Sequence, residues 1–162
     1  MHHYQDLIHI FSDCFEINYN TRLVKGDEEP VYLPADRCTP YHQIVFAHGF
    51  FSSALHECAH WLIAGAKRRQ LVDYGYWYAP DGRTEAQQLL FQHVEIKPQA
   101  LEWILSEATN YPFQLSLDNL SGGAVDISGF KQAVCAQVQH YYDQGLSPRA
   151  LKFYRALKAF YG

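Results

Sequence analysis

His56 and His60 frame Glu57 in the stretch "FFSSALHECAHWLIAG", Phe50 to Gly65. On an α-helix, positions i and i+4 share a face, so both imidazoles can meet one ion. Nine histidines and eight glutamates in the chain give this pattern by chance roughly 0.02 to 0.03 times. Two core or surface histidines on a helix are the bland alternative; metal binding is the stronger reading. Leu55, Cys58, Ala59 and Leu62 form an adjoining apolar stripe that would bury and anchor that face.

Two histidines hold a catalytic metal poorly, and a third ligand is expected. The nearer downstream carboxylates are Asp73, Asp81, Glu85, Glu95, Glu102 and Glu107. Glu95, in "FQHVEIKPQALEW", stands just before Pro98, where a backbone bend could turn it toward the first helix. Glu102 is seven residues on, on the same side if both are helical. The other reading of Glu95 is a carboxylate favouring a helix N-terminus. His93 is the weaker candidate. Two histidines and one carboxylate suit Zn²⁺ in peptidases and Fe²⁺ in oxygenases alike. In a peptidase Glu57 would be the general base, whereas in an oxygenase it would stand behind the ligands. Ligand types alone do not choose.

The elements that must hold these residues are legible in outline. Leu7, Ile8, Ile10, Phe11, Cys14 and Phe15 have helical spacing within His3 to Phe15. From Asn18 to Pro40 the chain is turn-rich, with extended pieces around Leu23 and Val31 to Leu33. "QIVFAHGF" reads as a buried strand entering a tight loop, and Ser52 or Ser53 should cap the histidine helix, which stops at Gly65. "VDYGYWYAPDGR" reads as a strand ending in a turn. Thr84 should cap a helix to about Gln92, and Pro98 should open another to about Asn110. Two further helices are expected near Phe130 to Tyr142 and Pro148 to Tyr161. The fold class is α+β, a mostly helical single domain over residues 1–162 with a few short strands and the HExxH helix at the metal site.

Composition narrows the function classes. Apolar residues are 48%, charged residues 19% and aromatics 15%, which is globular and rich in cleft-forming rings. A net charge of -4 argues against nucleic acid as a partner. The start, "MHHYQDLIHIFSDCF", lacks a signal-peptide pattern, and no apolar run is long enough to span a membrane. Four scattered cysteines without a CxxC pair fit reduced thiols, so a cytoplasmic setting is expected. His2 and His3 are assigned no role.

"VKGDEEPVYLPAD", "IVFAHGFFSSALHECAHW", "RRQLVDYGYWYAPDGR" and "VEIKPQALEW" together resemble the bacterial elongation factor P hydroxylase family. The resemblance runs in order from about Tyr4 to about Tyr161 and is far more specific than HExxH. It implies a metal-dependent hydroxylase acting on a lysine of elongation factor P, a loop-tip residue first β-lysylated by separate enzymes. It also implies that His56, His60 and Glu95 form the metal site. The family is unlike the common oxoglutarate-dependent hydroxylases, and oxoglutarate is not implied. Hydroxylating an unactivated C–H bond needs a redox metal and an oxidant, which points to Fe²⁺ with molecular oxygen as co-substrate.

A modified lysine is a long cationic tail, suited to aromatic walls and carboxylates. Tyr74, Tyr76 and Tyr78 fall on one face of the expected strand, or are simply core. Asp73 and Asp81 could meet an ammonium, although turn capping explains Asp81 equally well. His48, near the metal helix in sequence, could support the site or be a buried hydrogen-bonded histidine. A basic surface, either Lys67-Arg68-Arg69 or the row Arg149, Lys152, Arg155 and Lys158, could steer the acidic factor. Two other classes stay open at this point. One is a zinc peptidase; the other is a non-catalytic, metal-stabilised binding module.

Overall fold

The computed structural model describes residues 1–74, 84–116 and 127–162. Helix α1 (Tyr4–Tyr19) leads into strand β1 (Thr21–Lys25), followed by β2 (Val31–Leu33) and β3 (His42–Phe46). Helices α2 (Phe51–Ile63), α3 (Glu85–Ala108), α4 (Ile127–Gln144) and α5 (Pro148–Tyr161) complete a mostly helical α+β fold. The sheet order is β1-β3-β2, with β1 parallel and β2 antiparallel to β3. Among the described residues no helix is long and apolar enough to cross a membrane.

The apolar face of α1 presents Leu7, Phe11 and Phe15, all fully buried. Their rings meet Trp61 of α2 and Phe153 of α5, with Phe11 and Trp61 edge to face at 5.2 Å. Truncating such a core phenylalanine costs about 3–5 kcal/mol, so this cluster fixes α2 against α1 and α5. A second cluster joins α3 and α4 through Phe91, Ala100, Ile104, Phe130, Val134 and Val138. Helix α2 is thus held on one side by the aromatic core and on the other by α3.

Helix α3 corrects the expectation of two helices. It is one helix of 24 residues, about 36 Å long, with Pro98 inside it. Thr84 caps it as expected, in a capping box with Gln87: the Gln87 N–H donates to Thr84 Oγ1 and the Thr84 N–H to Gln87 Oε1. Pro98 lacks the N–H that would reach the Val94 carbonyl, a loss of about 3 kcal/mol in an exposed helix. Here the buried proline sits in a helix packed on α2, α4 and α5, and that packing outweighs the defect.

The ends of α2 also differ from expectation. Its N-cap is Phe50, without a side-chain bond, and Ser53 instead accepts the Ala47 N–H at 2.9 Å. The helix stops at Ile63, and Ala64 is extended. His2, given no role from sequence, is fixed: its ring stacks on Tyr161, meets Phe51 and Tyr111 edge-on, and bonds through Nε2 to the Thr109 carbonyl. A contact between residues more than a hundred positions apart leaves no local signal. Cys14, Cys38, Cys58 and Cys135 are all free thiols. Of the expected tyrosine strand, Asp73 forms an isolated bridge with Tyr32; Tyr76, Tyr78 and Asp81 lie outside the described residues.

Candidate metal centre

One turn of α2 separates His56 from His60, and their Nε2 atoms lie 3.1 Å apart. Glu95 reaches both from α3, with Oε1 3.2 Å from His56 Nε2 and Oε2 3.0 Å from His60 Nε2. Glu95 gets there by helical register and not by a bend at Pro98. Among the described residues this is the one group of three whose donor atoms lie mutually within 4.8 Å. Atoms that each offer a lone pair repel at such distances unless they share a proton or a cation. Metal bonds of about 2.1 Å meeting at right angles span about 3.0 Å, so the spacing fits a divalent ion with three protein ligands on one side.

The surroundings orient these donors. Glu102, two helical turns after Glu95 and on the same face of α3, takes the Nδ1–H of His56 at 2.7 Å. That bond selects the tautomer that leaves the His56 Nε2 lone pair for an ion, the arrangement common behind metal-bound histidines. Gln99, between the two glutamates, is buried and donates to Glu95 Oε1 at 3.4 Å. Its amide also exchanges two bonds with the Ser116 backbone, which holds it in place. Sequence reasoning missed Gln99 altogether and saw Glu102 only as a carboxylate on the right side.

Charge in this pocket is tightly coupled. Burial would lower the pKa of His56, but the Glu95 charge and the bonds from Glu102 and Glu95 raise it well above the usual value. Burial likewise favours the neutral acid at Glu95, and the charges of His56 and His60 outweigh it, holding the carboxyl well below its ordinary range. Burial pushes Glu57 up, opposed by the nearby His60 and His56. The three glutamates therefore have different surroundings. Glu95 and Glu102 are spoken for by imidazoles, and among the described residues Glu57 has neither a hydrogen bond nor an ion pair.

A cleft opens beside the histidines, lined by Glu57, His60 and Trp61 of α2 with Tyr32, Arg68 and Asp73. Asp73 accepts from Arg68 Nε at 2.5 Å. His48 lies in the turn before α2 at φ 54°, its N–H on the Gly26 carbonyl and its ring 5.6 Å from Phe50. That places it at the opposite end of α2 from His60. The far end of α2 is closed by Arg149 of α5, whose guanidinium donates to the carbonyls of Trp61, Leu62 and Ala64 at 2.8–3.2 Å. It also lies 4.6 Å from the Trp61 ring. Arg149 is therefore a helix cap and not part of a solvent-facing basic row. Replacing it by alanine should lower stability by roughly 2 kcal/mol, with lysine recovering only part. Denaturant unfolding of the two variants measures this.

Two comparisons bear on the site. A profile of the family described as "Elongation factor P hydroxylase" matches residues 10–162. A protein of Haemophilus influenzae named "Elongation factor P lysine hydroxylase" is 57% identical over 160 residues, covering 99% of this chain and 90% of that protein. Both matches span α2 and α3, which carry every donor atom described above.

Proposed function

Because the chain belongs to the elongation factor P hydroxylase family, we propose that it hydroxylates the modified lysine of elongation factor P at a centre of His56, His60 and Glu95. The reading rests on one observation: two imidazole nitrogens and a carboxylate converge to 3.0–3.2 Å, with Glu102 fixing the tautomer of His56. When bound there, Fe²⁺ supplies the activation of O₂ that attack on an unactivated C–H bond requires. Zn²⁺, with a fixed oxidation state, would fill the site without supplying it.

The chain's own residues perform the rest. His56, His60 and Glu95 would supply three protein ligands to the ion, and His60 also lines the cleft it shares with Glu57. The buried stripe of Leu55, Cys58, Ala59 and Leu62 keeps α2 rigid behind the ligands. Asp73 lines the same cleft, and Tyr76, Tyr78 and Asp81 follow it in the chain as candidate walls for the tail, whereas His48 is not among the residues lining it. Inserting one atom of O₂ and releasing the other as water consumes two electrons and two protons, so a reductant accompanies the reaction.

The test is intact-mass spectrometry of β-lysylated elongation factor P incubated in air with reductant and protein loaded with iron, zinc or no metal. One added oxygen on the modified lysine with iron alone is expected. Equal product with zinc would remove the redox reading, and backbone cleavage would replace the hydroxylase with a peptidase.

A further inference from the structure

We propose that Glu57 is the receptor for the substrate's terminal ammonium, setting which carbon of the aliphatic tail lies against the metal. This deepens the hydroxylase reading and rests on it. Glu57 follows a metal ligand directly in sequence, yet it faces the cleft it shares with His60 and does not join the ligand cluster. It is half-buried and, among the described residues, makes no hydrogen bond or ion pair.

Among the described residues, the other charged groups around it are engaged. Glu95 and Glu102 hold His56 and His60. Asp73, the other acid of the cleft, carries Arg68. Arg69 lies over the rings of Tyr19 and Trp61, 5.5 and 5.6 Å from their centroids. A partly desolvated carboxylate with no hydrogen bond or ion pair among the described residues is costly, and a cationic ligand is what satisfies it. The tail to be hydroxylated ends in such a cation. An anchor fixed on α2 beside His60 holds the ammonium at a set distance from the ion. The reacting carbon is then chosen by the length of the tail between the two.

The experiment is a cycle of binding measurements with zinc-loaded protein, in which no turnover occurs. Two peptides of the substrate loop are compared, one with the terminal ammonium and one with an isosteric methyl group in its place. Wild type should prefer the ammonium peptide by about tenfold to a hundredfold. In Glu57→Gln the preference should fall below about threefold, with zinc content and melting temperature unchanged. Glu57→Asp, which keeps the charge on a shorter arm, should retain part of it. An undiminished preference in Glu57→Gln overturns the assignment alone. Loss of zinc from that variant also overturns it, because Glu57 would then belong to the metal's own setting. If wild type itself shows no preference for the ammonium peptide, the substrate reading fails and takes this assignment with it.

Discussion

Glu95→Ala is expected to lower metal affinity by more than about a hundredfold and to abolish hydroxylation, while the metal-free protein melts near the wild-type temperature. Glu95 is 5% exposed and, among the described residues, is the only carboxylate that touches both imidazole Nε2 atoms. Removing it leaves two ligands on one helix, too few to hold an ion with open positions. Stability moves little because two effects oppose each other. Burying a carboxylate is costly, and the neighbouring imidazoles offset that cost only while they carry charge. Without Glu95 that buried charge is gone, and Gln99 keeps its bonds to the Ser116 backbone. Metal titration and calorimetry on the same variant separate the two effects. A large fall in melting temperature would mean that Glu95 is a structural ion-pair partner first.

Glu102→Ala should behave differently. Glu102 touches only His56 Nδ1, so all three donors to the ion survive and only their orientation suffers. Losing such a partner costs about 10- to 100-fold in metal affinity. Raising the iron concentration should therefore restore product formation in Glu102→Ala but not in Glu95→Ala. Glu102→Gln should fall between alanine and wild type, since its amide oxygen can still accept the Nδ1–H without the charge. Competition against a chelator gives the affinities. If Glu102→Ala binds metal like wild type, the bond to His56 is incidental.

Much of this centre was legible in the sequence because its parts are local. The i, i+4 histidines, the apolar stripe beside them, and the Thr84 cap all depend on neighbours within a turn or two. The misreadings have physical causes. Pro98 suggested a helix start, which divided α3 and put Glu95 and Glu102 on separate elements; tertiary packing overrode the propensity. Once α3 is continuous, their seven-residue spacing places both on the face toward α2. Gly65 suggested a glycine stop for α2, whereas the cap comes from Arg149, more than eighty residues away. His2 docks on groups at the far ends of the chain for the same non-local reason. The family resemblance supplied what spacing could not, the choice of Glu95 from the six carboxylates between Asp73 and Glu107.

The most direct test of the account is anomalous diffraction at the iron edge from crystals of the iron-loaded protein. The account predicts a single peak within bonding distance of His56 Nε2, His60 Nε2 and the Glu95 carboxylate, with no fourth protein ligand and Glu102 on His56 Nδ1. A peak elsewhere would contradict it, and so would an ion closed off by a fourth side chain, which would describe a structural metal in a binding module.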